Sequence, residues 1–219
     1  MTQRPTSSAR FLVILDADST LIRDEAIELL AERAGSLDRV AEITAQAMNG
    51  ELDFAASLRS RVATLIGLPV CALADVAQRI QLTDGVEELV AGVHRAGGRV
   101  GVASGGFHEL LDDVAEAAGL DYCEANRLEV KHDALTGGLT GPVVDAAAKA
   151  RSLLRWAADA GIPVSQTIAI GDGANDVQMM AEAALSVAFN AKPMVRSHAH
   201  VVMDRCDLSQ VLPLLGLRG

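Results

Sequence analysis

Two aspartates separated by one residue, Asp16 and Asp18, directly follow an apolar run near the start of the chain. The run, residues 11–15, is short and rich in branched side chains, which predicts a buried strand of a parallel sheet. Acids at the carboxyl end of a central strand lie where open α/β sheets bind their ligands. Two neighbouring carboxylates repel each other unless a cation lies between them, and Mg²⁺ prefers oxygen ligands. The pair therefore predicts a magnesium site, although Asp16 and Ser19 alone would also suit a helix cap.

Three further polar clusters follow a predicted strand or begin a predicted helix. They are Ser104-Gly105-Gly106, Lys149, and Asp172 with Asn175 and Asp176. Each is ambiguous alone, because serine–glycine turns, surface lysines and acidic helix caps are common. Together with the aspartate pair they suit phosphoryl transfer, with carboxylates for Mg²⁺, donors for phosphate oxygens and a lysine for the charge that develops. One aspartate can attack phosphorus, as carboxylates do in aspartyl-phosphate chemistry.

The elements that must position these clusters alternate between strand and helix. The main predicted strands are residues 11–15, 99–103, 167–170 and 185–189. This alternation predicts an α/β fold with a doubly wound parallel sheet. Two short strands at 122–124 and 127–130 are expected to enter a hairpin with its turn near residues 135–138. Ser104-Gly105-Gly106 is expected to be the turn from a strand into the next helix.

Only helical patterns occupy the stretch between the first strand and residue 82. The predicted helices are residues 25–34, 37–48, 53–66 and 69–80. Roughly sixty residues of helix is far more than a strand–helix–strand crossover needs. We therefore predict that residues 23–81 form an inserted helical cap that selects the substrate. Residues 1–22 and 82–219 would form the discontinuous α/β catalytic core.

Composition narrows the partners of this 219-residue chain. Its net charge of −10 argues against a nucleic-acid binder, which needs a basic surface. No targeting segment or apolar run of membrane-spanning length is visible, so no membrane partner is expected. Three cysteines without a C-x-x-C spacing fit reduced thiols and a cytoplasmic location. The chain has no G-x-G-x-x-G sequence, which excludes a dinucleotide-binding oxidoreductase.

The four clusters, in this order, resemble the four motifs of the haloacid dehalogenase-like hydrolases. The matching residues are Asp16-Ala17-Asp18-Ser19-Thr20, Ser104-Gly105-Gly106, Lys149 and Gly171-Asp172-Gly173-Ala174-Asn175-Asp176. The resemblance extends from about Phe11 to the C-terminus, and it is closer to the branch that hydrolyses O-phospho-L-serine. It implies a magnesium-dependent phosphoric monoester hydrolase that acts on a small phosphate ester, in the last step of serine biosynthesis.

The resemblance also implies roles for the motif residues. Asp16 would be the nucleophile that forms a phosphoaspartyl intermediate, and Asp18 the general acid and base. Mg²⁺ would be held by the side chains of Asp16 and Asp172 and by the backbone carbonyl of Asp18. The remaining motif residues would bind phosphate oxygens or support the metal and the substrate; they are Ser104, Gly105, Lys149, Asn175 and Asp176.

Substrate selection would then lie in the cap. Phosphoserine carries an ammonium and a carboxylate besides its phosphate. The resemblance places Glu25 against the ammonium and Arg61 against the carboxylate, with Met48 and Phe54 closing an apolar lid. Without the resemblance, Glu25 would equally suit an acid in the first turn of a helix, and Arg61 a solvated helix charge.

Two other functions stay open from the sequence. One is a phosphatase or phosphotransferase for another small phosphate ester, such as phosphothreonine. The other is a catalytically silent protein that binds a phosphorylated ligand as a regulator. The presence of Asp16, Asp18, Lys149 and Asp172 argues against the silent protein, which has no chemical reason to keep all four. The sequence does not predict the oligomeric state.

Overall fold

In the computed structural model, which describes residues 11–217, seven strands form one sheet in the order β4-β3-β2-β1-β5-β6-β7. The strands are β1 (Leu12–Leu15), β2 (Arg99–Phe107), β3 (Tyr122–Lys131), β4 (Ala134–Thr140), β5 (Thr167–Gly171), β6 (Leu185–Phe189) and β7 (Val201–Met203). Neighbouring strands run parallel except β3 and β4, which are antiparallel. The predicted α/β fold with a mostly parallel sheet is confirmed.

Strand β1 lies at the centre of the sheet, hydrogen-bonded to β2 on one side and β5 on the other. Its four apolar side chains are fully buried, because both faces of the sheet are covered. After β1 the chain first forms β2, which lies on one side of β1. The strand on the other side, β5, comes only later in the sequence. The carboxyl end of β1 is therefore a topological switch point, where α/β sheets form a ligand crevice.

Helices cover both faces of the sheet. On the face of Val13 and Leu15 lie α5 (Val86–Arg95), α6 (His108–Ala117) and the 3₁₀ helix Leu208–Leu215. On the face of Leu12 and Ile14 lie α7 (Ala146–Asp159) and α8 (Val177–Glu182). A short helix, α9 (Pro193–Arg196), precedes β7. The alternation of β1 side chains between the two clusters follows from the two-residue period of a strand.

Four helices fill the stretch between β1 and α5. They are α1 (Ala26–Ala34), α2 (Leu37–Met48), α3 (Phe54–Ala63) and α4 (Cys71–Ala77). The two connections of this stretch to the rest of the chain pair with each other, since the N–H of Arg23 donates to the carbonyl of Gln81 at 2.9 Å. The helices share a hydrophobic cluster with α6, β3 and β4, in which Leu58 and Val62 meet Leu128 and Leu135.

The hairpin departs from the sequence prediction. Its turn lies at His132 and Asp133, which both have positive φ, and residues 135–138 belong to β4. Gly137 serves a close approach rather than the turn, because a Cβ there would lie 3.2 Å from the Cα of Ala63 in α3. Strand β3 is one ten-residue strand instead of two pieces.

Strand β2 is also longer than predicted. Residues 104–106 were expected to turn into the next helix, but they continue the strand to Phe107. The extension is held by pairing with β3, where Phe107 lies opposite Asn126 after a register shift. This contact joins residues about twenty apart and has no local signal in the sequence.

Candidate active site

Three buried charged groups meet at the carboxyl end of β1. The Lys149 ammonium on α7 lies 2.6 Å from Oδ1 of Asp16 and 2.8 Å from Oδ1 of Asp176. Lys149 and Asp176 are fully buried, and Asp16 is nearly so. The N–H of Ala17 also donates to Asp16 Oδ1 at 2.7 Å. The Asp16 carboxylate is therefore held in one orientation by a cation and a backbone donor.

The charges in this group shift the pKa values of Lys149 and Asp176. Burial alone would lower the pKa of Lys149, but Asp16 and Asp176 raise it above its usual value, so the ammonium is a permanent cation. Burial, with repulsion from Asp16, raises the pKa of Asp176 to about 7 against the opposing effect of Lys149. Burial and Asp16 also raise the pKa of Asp172. The site carries more negative charge than Lys149 neutralises.

This donor set fits a divalent cation. Carboxylate oxygens of Asp16, Asp172 and Asp176 lie within 4.8 Å of one another, and all three residues are buried. Crowded carboxylates are stabilised by a hard cation with oxygen ligands. The structure brings together two side chains predicted as ligands, Asp16 and Asp172, and adds Asp176, which was predicted to support the site. That the backbone carbonyl of Asp18 also binds metal stays a prediction.

Asp18 lies in a tight turn, residues 17–21, that follows β1 directly. Its Oδ1 accepts a hydrogen bond of 3.1 Å from the N–H of Ala26 at the start of α1. Burial, with repulsion from Glu25 and Asp16, raises the pKa of Asp18 well above its usual value. A carboxyl group whose pKa is raised suits a general acid.

Ser19, in the same turn, has a left-handed backbone with φ of 56°. Its hydroxyl donates to Oε1 of Glu25 at 2.9 Å. A non-glycine residue in this region is unusual and persists where surrounding contacts fix it. The contact brings Glu25, six residues after Ser19, to the edge of the site.

The predicted phosphate-binding residues lie on the extended end of β2. The Ser104 hydroxyl oxygen accepts a hydrogen bond of 2.8 Å from the N–H of Gly106 and is fully buried, with its own proton still free to donate elsewhere. Gly105 lies under the ring of Phe54, since a Cβ at Gly105 would be 2.7 Å from Phe54 Cζ. A side chain at position 105 would displace that ring.

Asn126 on β3 is a site residue that sequence reasoning missed. Its buried amide nitrogen donates to the carbonyls of Gly105 and Gly106 at 2.9 and 3.3 Å. Its amide oxygen accepts from the N–H of Val144 at 2.9 Å, just before α7. Asn126 thus links the strand end at 104–106 to the helix that carries Lys149. It lies in a segment that resembles the family, but no chemical pattern singled it out.

The site opens into a cleft of about 450 Å³. Nine of the predicted site residues line it: Asp16, Asp18, Glu25, Met48, Phe54, Arg61, Gly105, Asp172 and Asn175. The other three, Ser104, Lys149 and Asp176, are fully buried and do not line it. Met48 is 78% exposed, so the apolar lid expected from Met48 and Phe54 stays a prediction.

Lys192 also lines the cleft and was not predicted. Its ammonium lies 3.6 Å from Oδ2 of Asp172, and its backbone N–H donates to the Asp172 carbonyl at 3.1 Å. It partly offsets the effects that raise the pKa of Asp172 and of Glu25. Lys192 is a single basic residue in the loop after β6 and belongs to no sequence motif. Only the fold shows that it lies beside Asp172.

Glu25 and Arg61 bring opposite charges to the same cleft. Burial raises the pKa of Glu25, against a hydrogen bond from Ser19 that lowers it. Burial lowers the pKa of Arg61, whereas Glu25, Asp18 and Glu28 raise it. The Nε atom of Arg61 is buried and has no hydrogen-bond partner among residues 11–217. Because Arg61 lines the cleft, its guanidinium brings positive charge there, which favours an anionic ligand.

The raised pKa of Asp176 makes the stability of the metal-free protein depend on pH. A carboxyl whose folded pKa is raised stabilises the fold below its unfolded pKa, and this contribution is lost as pH rises through the folded pKa. As the pH rises from about 4 to about 8, the free energy of unfolding of wild type should fall relative to that of Asp176→Asn. The total fall should be about 1.4 kcal/mol for each pH unit between the unfolded and folded pKa values of Asp176.

Urea denaturation in the presence of a chelator measures this difference. Asp38→Asn, at an exposed position of α2, is the matched control and should follow the wild-type pH profile. Parallel profiles for wild type and Asp176→Asn would contradict the expectation.

Known proteins resemble this chain in sequence and in fold. A family model described as haloacid dehalogenase-like hydrolase matches residues 13–181. Over 209 residues the chain is 53% identical to a phosphoserine phosphatase of Streptomyces coelicolor. This alignment covers 95% of this chain and 51% of that protein. It is 47% identical to a phosphoserine phosphatase of Streptococcus thermophilus, over 95% of this chain and 97% of that protein.

A solved structure described as a phospho-aspartyl intermediate analogue of phosphoserine phosphatase superposes with a TM-score of 0.88. The two chains are 40% identical, over 94% of this chain and 98% of the other. The chain thus spans about half the length of the Streptomyces relative but nearly all of the Streptococcus relative.

Among residues 11–217, no helix is long and apolar enough to cross a membrane.

Proposed function

Because the chain belongs to the haloacid dehalogenase-like hydrolases, we propose that its cleft hydrolyses O-phospho-L-serine to L-serine and phosphate. The relatives in Streptomyces coelicolor and Streptococcus thermophilus are phosphoserine phosphatases, and this chain matches nearly the whole of the second. The observation that carries the proposal is the pairing of Glu25 and Arg61 in the cleft that contains Asp16. An acid and a partnerless guanidinium donor match the ammonium and carboxylate of phosphoserine.

Asp16 is the nucleophile of this proposal. Its carboxylate attacks phosphorus, the bond from phosphorus to the serine oxygen breaks, and a phosphoaspartyl group forms on Asp16. Asp18 donates its proton to the departing serine oxygen. Asp18 then takes a proton from a water molecule, whose oxygen attacks phosphorus while the bond to Asp16 breaks. The solved relative described as a phospho-aspartyl intermediate analogue supports this covalent step.

The buried cation and the end of β2 complete the proposed reaction site. Lys149 holds the Asp16 carboxylate and offsets the negative charge that develops on the phosphate. Ser104 and Gly105 bind phosphate oxygens, and Asn175, which also lines the cleft, supports the metal site and the substrate. Asn126 keeps residues 104–106 at a fixed distance from α7.

The metal of the proposal is Mg²⁺. The Asp16 and Asp172 carboxylates and the Asp18 backbone carbonyl would hold it, and Asp176 would support them. When bound, Mg²⁺ withdraws charge from the phosphate oxygens and makes phosphorus a better electrophile. The oxygen-only donor set favours Mg²⁺ over a softer metal such as Zn²⁺.

Residues 23–81 are proposed as the substrate-selecting cap over the core formed by 1–22 and 82–219. Residues 1–10 and 218–219 of that core lie outside the described residues. The cap supplies Glu25, Met48, Phe54 and Arg61 to the cleft, whereas the core supplies the reacting groups. The reduced cysteines support a cytoplasmic location. A small phosphate ester as the substrate supports the absence of a nucleic-acid partner.

Phosphate release from four substrates with Mg²⁺ tests the proposal. The substrates are O-phospho-L-serine, phosphothreonine, phosphoethanolamine and a nucleotide monophosphate. We expect turnover of phosphoserine well above that of the other three. Equal hydrolysis of all four would leave the core chemistry intact but refute the role of the cap. No hydrolysis of any would refute the proposed activity.

Replacing Arg61 by alanine should separate two of these substrates. Phosphoethanolamine has the ammonium and phosphate of phosphoserine but lacks its carboxylate. A charge-assisted hydrogen bond contributes about 1.5–3 kcal/mol, so kcat/KM for phosphoserine should fall about 10- to 100-fold, or further if two such bonds are lost. The value for phosphoethanolamine should stay within a few-fold.

Steady-state kinetics of wild type, Arg61→Ala and the control Arg59→Ala measure this effect. Arg59 is an exposed arginine two positions earlier on α3 and does not line the cleft. Equal losses for both substrates in Arg61→Ala would show that Arg61 does not bind the carboxylate.

A further inference from the structure

A second cleft, of about 420 Å³, lies between β3, the segment before α7, and α7 itself. It shares no lining residue with the active-site cleft. Its polar rim consists of Arg127, Arg151, Arg155, His108, Ser152 and Glu124, and we call it the basic cleft. Its volume is that of a small-molecule pocket. Three arginines around one small cleft are conspicuous in a chain whose net charge is −10.

The arginines of the basic cleft are incompletely neutralised. Arg151 is exposed on α7 and has no ion pair or side-chain hydrogen bond within residues 11–217. Arg127 has only long contacts outside the cleft lining, 3.9 Å to Glu109 and 3.6 Å to Asp112. Contacts of that length to an exposed arginine contribute little and can exchange for a ligand.

The single carboxylate in the lining is already occupied. Glu124 pairs with Arg155 and accepts a hydrogen bond of 2.6 Å from the Ser152 hydroxyl. Glu124 therefore neutralises Arg155 and leaves the positive charges of Arg127 and Arg151 facing the cleft. Three arginines and one glutamate line the cleft, so the lining itself favours an anion, against the mean charge of the protein.

A metal is the alternative ligand at this end of the fold, because His108, Asp112 and Cys123 have ligand atoms within 4.8 Å of one another. The hydrogen bonds of His108 argue against it. Nε2 accepts from the N–H of Ala125 at 3.1 Å, so the ring proton lies on Nδ1, 2.6 Å from Asp112. Burial and Asp112 also raise the pKa of the Cys123 thiol to about 12, so the thiolate that binds metals is scarce.

The apolar part of the lining, which we call the apolar floor, is built from small or branched side chains: Ala125, Val144 and Ala148, which are buried, with Pro142 and Val143. A ligand that fills it therefore needs a short apolar body as well as negative charge. Arginine side chains on facing elements, β3 and α7, can each bind a carboxylate or phosphate group through two N–H donors.

We propose that the basic cleft is a second ligand site, which binds a small organic anion with two acidic groups on a short apolar body. Arg127 and Arg151 bind the two acidic groups, and the apolar floor contacts the body. The site is separate from the active-site cleft, so the proposal does not depend on the proposed phosphatase activity.

Nuclear magnetic resonance of the ¹⁵N-labelled full chain tests this site, with the protein dialysed into metal-free buffer and benzene-1,2-dicarboxylate as the probe. This compound has two carboxylates on an apolar ring and no phosphate ester. When the probe is added, we expect the protein's backbone amide resonances to shift most at Arg127, Val144 and Arg151. Loss of one charge-assisted contact in Arg151→Ala should weaken the affinity about 10-fold or more. Substitution of an exposed residue outside buried features is expected to leave the fold intact.

Arg59→Ala is the matched control, since Arg59 is also an exposed helix arginine and lies outside both clefts. It should bind the probe as wild type does. Equal weakening in both variants would indicate attraction to net charge alone and would overturn the proposal. Shifts confined to residues of the active-site cleft, such as Gly105 and Asn175, or no shifts at all, would overturn it as well.

Discussion

Replacing Asp16 by asparagine is expected to lower phosphate release from O-phospho-L-serine by at least about 10³-fold, because a lost nucleophile removes the covalent route. Asparagine has nearly the same shape as aspartate, so the loss will reflect chemistry and not packing. The amide cannot attack phosphorus as a carboxylate does. The Asp16→Asn protein should remain folded, since Lys149 keeps its contact with Asp176.

Phosphate release and quenched-flow mass spectrometry of the intact chain measure this expectation together. Wild type mixed with phosphoserine should gain the mass of one phosphoryl group, and Asp16→Asn should not. Asp38→Asn, in the exposed first turn of α2, should behave as wild type in both assays. A phosphorylated Asp16→Asn chain, or retention of a tenth of the activity, would assign the nucleophile to another residue.

Replacing Lys149 by methionine should damage stability as well as activity. The ammonium is fully buried between two buried carboxylates, so its removal leaves Asp16 and Asp176 without a cation. Breaking a buried ion pair by removing one partner costs about 3–5 kcal/mol. The metal-free protein should lose about that much free energy of unfolding. Loss of a positioned charge at a reacting group should lower kcat by about 10²–10³-fold.

A second substitution separates these two effects. In Lys149→Met with Asp176→Asn, one unpaired buried carboxylate is removed, so part of the lost stability should return. The activity should not return, because the cation beside Asp16 is still missing. Lys131→Met, which removes an exposed lysine paired with Glu129, should change the unfolding free energy by under about 1 kcal/mol. Wild-type stability for Lys149→Met would contradict the ion pair.

The sequence by itself determined the sheet and the positions of its reactive groups. The apolar run before Asp16 could only be a buried strand, and the acids after it had to lie at the carboxyl edge. The same reasoning placed Asp172 just after a predicted strand, and the structure shows that this strand, β5, lies next to β1. Helix signals were as clear between β1 and α5, where a helix was predicted at residues 37–48 and α2 is Leu37–Met48. These features follow from local periodicity and from the connection rules of parallel sheets.

The sequence left the function of the cap residues to resemblance. Glu25 and Arg61 have ordinary explanations as helix charges, and nothing in their spacing relates one to the other. The structure places both in one cleft and leaves Arg61 Nε without a partner among residues 11–217. Contacts between helices depend on how they pack, which a helical pattern does not specify.

The tertiary structure alone decided the contacts between distant parts of the chain. It placed Asp176 with Asp16 and Asp172 as a possible metal ligand, and it brought Lys192 to the cleft. It also revealed that Asn126 links residues 104–106 to the start of α7. Apart from Asp172 and Asp176, which are four residues apart, these contacts join residues that lie far apart in sequence and meet only because of the sheet order. Side-chain chemistry is written in the sequence, but which groups face one another is fixed by packing over the whole fold.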